Sequence, residues 1–338
     1  MANSAKIVLL ISLLVGLVWF VYKISWVLEL IIISLLIVYV LFPITEYLKE
    51  KRKASHLIAV IVTFTCFLVL IFILLVLVVP VVQEEIQAIA RDLPNYIVLI
   101  QRYVEDVAEY LMDYDVGPEI IDFVRTLSTN LKPVLEELAS FSISILFGFV
   151  DIFFIMFIVF YLLYDFHNIR RTIIKILPDR YKFYGEEFMA IIDRNFGNYI
   201  RGNVIRCMIV GLLTGIILFI VGMPYSLLLG ILAGVLNIIL YIGPYLAAIP
   251  AVILSFSPHT PSPIIVIIIY IVVQTIDGVL LTPTLLGRAV KLKPITVIVS
   301  LLIGQQLAGA LGMILSTPVA GIIRSIMEFM EHEKKNTK

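Results

Sequence analysis

The sequence predicts an all-α polytopic membrane protein with about eight transmembrane segments, two of them broken helical hairpins that form an inverted repeat. Three observations carry that prediction. The 338 residues are 61% hydrophobic and 15% charged, whereas soluble domains carry about 45–50% apolar and about 25% charged residues. Mean hydropathy is +1.06. Apolar runs recur along the whole chain at the length a helix needs to cross hydrocarbon, about 20 residues. A formal net charge of zero gives no reason to expect a nucleic-acid partner.

Taken in order, the apolar runs are 7–22, 24–42, 57–82, 141–164, 204–222, 225–257, 262–285 and 294–327. Lys6 precedes the first, and with no small-residue cleavage site after it the run reads as a retained span. Lys and Arg in short loops mark the cytoplasmic side. On that rule KEKRK at 49–53, the basic stretch 165–206, the loop with Arg288, Lys291 and Lys293, and the lysine-bearing tail are all inside. The segment 83–140 differs, with twelve acidic residues against four basic ones, and fits the outside. Ile100, Tyr103, Val104, Val107 and Leu111 repeat there at helical spacing, so two or three amphipathic helices are expected. A separate interfacial helix is expected within 166–203. The organisation is then 1–82 as N-terminal membrane helices, 83–140 as an extracytoplasmic helical segment, and 141–203 as a span with its interfacial helix. A transport core follows at 204–327, and a cytoplasmic tail at 328–338.

Parity exposes the broken elements. The run 204–222 starts inside and ends outside, and 262–285 starts outside and ends inside, so 225–257 must begin and end on the outer side. Its interruption is Tyr241-Ile242-Gly243-Pro244. The run 294–327 leaves from an inside loop and returns to the basic tail, with its interruption at Gly309-Ala310-Leu311-Gly312. Each hairpin follows one complete span, and the second unit is inverted relative to the first. Shifted by 68, Asn237 falls on Gln305 and Pro250 on Pro318. Irregular backbone at membrane depth is tolerated only when buried in protein or lining a wet cavity. Gly243, Pro244, Gly309 and Gly312 are expected to supply the freedom and the missing donors for such breaks.

The polar residues inside the runs are the candidate site. An acid at the bilayer centre costs about 2.5–3.5 kcal/mol on insertion scales, so Asp277 should face protein. Gln274, Asp277, Gly278, Leu281 and Thr282 share one face at α-helical spacing. Asp277 is then either a site for a polar solute or coupling proton, or one half of a buried clasp to Asn237 or Gln305. Asn237 lies before the first break, and Gln305 and Gln306 lie before the second, where amides could bind a solute or cap helix ends. The predicted substrate- or ion-binding set is Asn237, Tyr241, Gly243, Pro244, Gln274, Asp277, Gln305 and Gln306. Arg201, Asn203 and Arg206 read as interfacial anchors. Gly211 with Gly215, Gly230 with Gly234, and Gly304 with Ala308 and Gly312 form small-residue stripes that allow close helix approach. Cys66 and Cys207 read as small core residues, and the four histidines have no metal-ligand spacing. With no phosphate-binding loop, H-E-x-x-H, G-x-S-x-G or C-x-x-C motif, an enzyme, an ATP-driven pump and a bound cofactor are disfavoured.

Two longer stretches, "NIILYIGPYLAAIPAVILSF" at 237–256 and "VVQTIDGVLLTPTLLGRAVKLKPITVIVSLLIGQQLAGALGMILSTPVAGII" at 272–323, resemble the autoinducer-2 exporter family of bacterial permease-like proteins. "FYLLYD" at 160–165, "YIRGN" at 199–203 and "VGMPYSLLLGILAGVLN" at 221–237 add to the resemblance. One departure is Leu240, where the family usually has proline before the tyrosine. The resemblance implies a multi-pass transport protein of the bacterial inner membrane, with both termini cytoplasmic on the charge rule. Some members resemble exporters of a small polar quorum-sensing signal and others are assigned to sodium or lithium efflux against protons, so the resemblance implies transport rather than one substrate. The first hypothesis here is export of a small polar solute such as a quorum-sensing signal. The alternative is a sodium or lithium/proton antiporter using Asp277. A further alternative is a non-transporting scaffold whose segment 83–140 binds a partner. Membrane lipid or homo-oligomerisation could cover the apolar faces of that segment.

Overall fold

The computed structural model describes Gly16, Trp19 and Phe20 and residues 23–53, 55–111, 149–257, 260–286 and 292–336. Every regular element among them is helical. They are α1 (Ser25–Arg52), α2 (His56–Leu111), α3 (Phe149–Ile176), α4 (Asp179–Ile220), α5 (Ser226–Leu236), α6 (Gly243–Leu254) and α7 (Pro263–Ile276). A π-helical segment (Asp277–Leu286) and α8 (Pro294–Asn336) complete the order. Among the described residues six stretches are long and apolar enough to cross a membrane: Ser25–Arg52, His56–Ile89, Val150–Ile176, Lys182–Ile220, Pro263–Leu286 and Pro294–Met327. Most of the apolar run expected at 7–22 and the second half of the acidic segment, 112–140, lie outside the described residues.

The chain divides into two compact units, Met1–Cys66 with Gly148–Pro178, and Phe67–Phe147 with Asp179–Lys338. In the first, α1 packs on α3 through Leu30, Val38, Val159 and Leu163, all buried. Ser34 Oγ donates to the Leu30 carbonyl at 2.7 Å, the usual way a helix satisfies a buried hydroxyl. Phe166 lies edge-on to Tyr39 at 5.5 Å and tilted against Phe42 at 4.5 Å, distances at which aromatic pairs attract beyond their area. Most of the remaining large apolar side chains on these helices are half-buried or exposed, as a lipid-facing surface allows.

Three expectations change here. Residues 166–203 do not form a helix of their own. They are divided between the end of α3 and the first part of α4, a single 42-residue helix that runs on through the expected span 204–222. Nothing between Asp179 and Ile220 breaks that helix, since it has no proline and Gly202, Gly211 and Gly215 are packed against neighbours. Likewise the outer segment does not start a new helix at 83. α2 continues unbroken to Leu111, with Ile86 and Ile89 buried. Cys66 is exposed and only Cys207 is buried, because Cys66 lies on the outward face of α2.

The second unit is built on glycine. Cβ atoms on Gly211 or Gly230 would come within 2.9 Å of the facing backbone, and one on Gly234 would meet the Cys207 carbonyl at 2.9 Å. The stripes on α4 and α5 therefore interlock face to face, letting the two backbones touch. Leu218, Leu229, Ala251, Val266 and Val273 join Ile89 of α2 in the core beside them. The third stripe behaves differently. α8 is broken at Ala308 (φ −147°, ψ 28°) and Gly309 (φ 55°, ψ −135°), and the second of these conformations is nearly restricted to glycine. A Cβ on Gly304 would lie 2.3 Å from the Gly312 carbonyl oxygen. Eight residues apart along a continuous helix the two would be about 12 Å apart, so α8 folds back on itself and Gly304 and Gly312 face each other across two arms.

Candidate functional site

The chain between α5 and α6, residues 237–242, is where the first apolar hairpin is broken. The residue with left-handed backbone is Tyr241 (φ 67°), not Gly243. Gly243 is required for a different reason: a Cβ there would sit 1.9 Å from the Leu236 carbonyl oxygen. The connection curls back so tightly that the start of α6 rests on the end of α5. Pro244 falls in the first turn of α6, where its missing N–H costs nothing. Asn237, at the end of α5, is 1% exposed.

On the other side of the site, α7 gives way to π geometry at Asp277. A π-helix turns less per residue than an α-helix, so the face expected for Gln274, Asp277, Gly278, Leu281 and Thr282 is not kept. Asp277 is 1% exposed, whereas Gly278 is exposed with nothing within 4 Å of its missing Cβ. The π segment lies tight on α4, where a Cβ on Gly202 would meet the Leu285 carbonyl at 2.3 Å.

Between these two irregular points stands Arg206 of α4, 2% exposed. Its Nη1 donates to Asp277 Oδ2 at 2.8 Å, Nη2 to the Asn237 carbonyl at 2.5 Å, and Nε to Asn203 Oδ1 at 3.1 Å. Asn203 Nδ2 donates in turn to the Ile238 carbonyl at 3.4 Å, and Asn237 Nδ2 to Asp277 Oδ2 at 3.4 Å. One guanidinium thus pins an acid at the α–π junction and the Asn237 carbonyl at the first break, with Asn203 holding the next carbonyl. The expectation that Asn203 and Arg206 are interfacial anchors is overturned, since both are buried in protein. A charge balance could have found Arg206. An acid within an apolar run needs a cation, and Arg206 is the last cation before the uninterrupted apolar stretch of α4.

The cluster is not saturated. Asp277 Oδ1 and Asn237 Oδ1 are buried with no hydrogen-bond partner. A buried acceptor left this way costs about 1–3 kcal/mol, and two of them lie on side chains that already touch. Of the remaining predicted residues, Gln274 is half-buried and Tyr241, Gln305 and Gln306 are exposed, while Gly243 is buried and Pro244 half-buried. Among the described residues, hydrogen bonding brings together Asn237 and Asp277 of the predicted set. The second hairpin reaches α4 through other residues: Asn195 Nδ2 donates to Ser325 Oγ at 2.8 Å, and Tyr199 hydrogen-bonds the Thr317 side chain. α4 therefore carries polar contacts to both hairpins, one turn after another. Among the described residues no three His, Cys, Asp or Glu side chains gather as a metal site would need.

Among the described residues every element is helical, and six apolar stretches of spanning length with broken helices and a buried ion pair between them define a polytopic membrane protein. The comparisons agree. The chain belongs to the AI-2E family of transporters, whose family model matches residues 7–332. It is 29% identical over 299 residues to "Putative transport protein YrrI" of Bacillus subtilis (strain 168), covering 88% of this chain and 84% of that protein. It is 31% identical to "Putative transport protein YueF" of the same organism, over 86% and 80% of the two chains. The "AI-2 transport protein TqsA" of Escherichia coli (strain K12) is 25% identical, over 96% and 92%.

Proposed function

We propose that this transporter exports a small polar solute across the bacterial inner membrane, and that the Arg206–Asp277–Asn237 cluster is the closed polar gate on its path. The observation that carries the reading is the ion pair itself, 2.8 Å long with its two side chains 3% and 1% exposed, set where two helices lose regular geometry. A pair of charges inside a membrane protein is expensive to keep for stability alone, because well-packed apolar residues often serve as well. Irregular helix ends beside it leave carbonyls and amides that a hydroxylated solute can use in place of the ion pair. The hairpins α5–α6 and the two arms of α8 enter the bilayer from opposite faces in this reading, with both termini cytoplasmic. Tyr241, Gly243, Pro244, Gln274, Gln305 and Gln306 line the path when it opens. A quorum-sensing signal of the kind named for TqsA is one such solute.

The test is to compare the medium of cells that carry the protein with that of cells that carry Asp277→Asn, using untargeted metabolite profiling. Export is expected to show as at least one polar metabolite accumulating outside only with the intact pair. Identical profiles at equal protein levels would remove the reading.

A second reading is sodium or lithium/proton antiport through Asp277. The orphaned oxygens of Asp277 and Asn237 favour it, since hard monovalent cations seek oxygen ligands. Everted vesicles with a pH dye decide between the two. Sodium-dependent proton movement that disappears in Asp277→Asn selects the antiporter, and its absence with solute flux retained removes it.

A further inference from the structure

Among the described residues of the second unit, four buried side-chain oxygens have no hydrogen-bond partner. Two are Asp277 Oδ1 and Asn237 Oδ1 at the ion pair, and the others are Thr214 Oγ1 of α4 and the Tyr270 hydroxyl of α7. Thr214 is 1% exposed, one turn from Val210 and one from Leu218 in the apolar core, and Tyr270 packs against that same core. A hydroxyl on a membrane helix ordinarily closes onto the carbonyl four residues back. Thr275, Thr284 and Ser300 do so at 2.5–2.7 Å. Thr214 does not, and the phenol of Tyr270 projects past its own helix into the core without a partner. Valine and phenylalanine would fill the same spaces without stranding a polar group. Packing therefore gives no reason for hydroxyls at these two places, and a passing solute does.

Their position is set by the ion pair. α4 and α7 pack together and run in opposite directions. Arg206 meets Asp277 at one level, while Leu218, about three turns on, shares the core with Val266, about three turns back. Thr214 lies eight residues after Arg206 and Tyr270 seven before Asp277. Both therefore stand ~10–12 Å from the pair, on the side of the start of α7. Neither 207–222 nor 263–276 contains a charged residue, so for about 20 Å of helix these hydroxyls are the polar groups left open in the α4–α7 core.

We propose that Thr214 and Tyr270 form a second polar station of the transport path, between α4 and α7 on its outer half, which takes the polar groups of an uncharged solute and refuses a bare cation. The inference rests on reading the Arg206–Asp277 pair as a gate, and it extends the path outward from there. When α4 and α7 part, each hydroxyl offers one donor and two acceptor positions to a solute leaving Asn237 and Asp277. Val210, Leu218, Val266 and Val273 suit the hydrocarbon between the solute's polar groups. A cation at the same place would meet two neutral hydroxyls and apolar walls, with no charge to offset the loss of its water.

The test has two arms. In the first, Thr214→Cys is made with exposed Cys66 replaced by Ser and treated in intact cells with a small, water-soluble methanethiosulfonate. The Cys66→Ser parent keeps buried Cys207 and sets the background. Thr214→Cys is expected to react well above it, and Ala247→Cys, equally buried on α6, to stay at background. In the second arm Thr214→Val and Tyr270→Phe each remove one hydroxyl and keep the packing. Each should melt no lower than the parent, and each should lower outward accumulation of the metabolite that Asp277→Asn abolishes by about three- to tenfold. Background labelling at 214, or parental export by both hydroxyl variants, would overturn the station and leave the gate standing where Asp277→Asn is inactive. Earlier melting of both would overturn it as well, by showing that the hydroxyls hold the fold. So would sodium-driven proton movement in everted vesicles that either variant abolishes, since a cation would then be using the station. Normal export by Asp277→Asn would instead remove the gate, and labelling at 214 then decides the station without it.

Discussion

Asp277→Asn leaves the Arg206 guanidinium buried beside a neutral amide, and Arg206→Gln leaves a buried carboxylate with no cation. Either change should destabilise the protein by about 3–5 kcal/mol, the usual cost of breaking a buried pair from one side. The double variant Arg206→Gln/Asp277→Asn removes both charges and should recover most of that loss, because amide can pair with amide in the same space. Thermal unfolding in detergent checks this, and a double variant no more stable than the singles would show that the pair is not a closed unit. Solute flux should stay lost in all three if the charges gate the path. Asp277 was legible in the sequence because an acid inside an apolar run has few reasons to be there. Arg206 was not, because a cation at the start of an apolar run has an ordinary explanation as an interfacial anchor, and only the fold shows that α4 begins 27 residues earlier, at Asp179. Asn237, Gln305 and Gln306 were legible as polar groups near breaks, but of these three Asn237 is the one hydrogen-bonded to the ion pair among the described residues.

The breaks themselves were readable from glycine and proline, and their mechanics were not. At the first break the strain sits on Tyr241, while Gly243 is fixed by contact with Leu236. At the second the freedom of Gly309 turns the chain, and Gly304 and Gly312 let the arms touch. Gly304→Ala should therefore splay the α8 hairpin. Its Cβ would meet backbone rather than a movable side chain, and a loss of about 1–3 kcal/mol is expected from overpacking. Gly278→Ala is the matched control, since its Cβ meets nothing within 4 Å, and it should melt within about 0.5 kcal/mol of the parent. Equal melting of the two would mean that the arms are not held by this contact. The long reach of α2 hides a comparable anchor. Glu85 Oε2 accepts the Leu228 N–H at 2.8 Å in the first turn of α5, where a carboxylate meets the free donors and positive end of a helix. Glu85→Ala should loosen α5 by about 1 kcal/mol, whereas Glu85→Gln keeps an acceptor and loses less. Hydrogen exchange of the 226–230 amides separates the two. The sequence placed Glu85 among the outer acids because it cannot show that α2 stays helical past 82 and brings that carboxylate to α5.

Charge bias along the chain argues for a direction that helix geometry alone does not contain. Pro263–Leu286 has 24 residues, about 36 Å of helix at α spacing, enough to cross about 30 Å of hydrocarbon with some tilt. Its start follows a stretch without Lys or Arg, and Arg288, Lys291 and Lys293 follow its end, so Ser262 should face outward and Lys293 inward. Both side chains are exposed, which makes each a usable reporter. With exposed Cys66 replaced by Ser, and buried Cys207 left in place, Ser262→Cys should react with a membrane-impermeant maleimide in intact cells. Lys293→Cys should react only after the membrane is opened. That result puts the α5–α6 hairpin, which ends shortly before Ser262, at the outer face, and the α8 hairpin, which begins just after Lys293, at the inner face. Two hairpins of opposite entry then meet α4 from either side, and α4 already bonds both: the first break through Asn203 and Arg206, the second hairpin through Asn195 and Tyr199. Labelling of both cysteines from one surface would leave the buried pair in place but take away its opposed hairpins, and with them the physical reason to treat Arg206 and Asp277 as a gate.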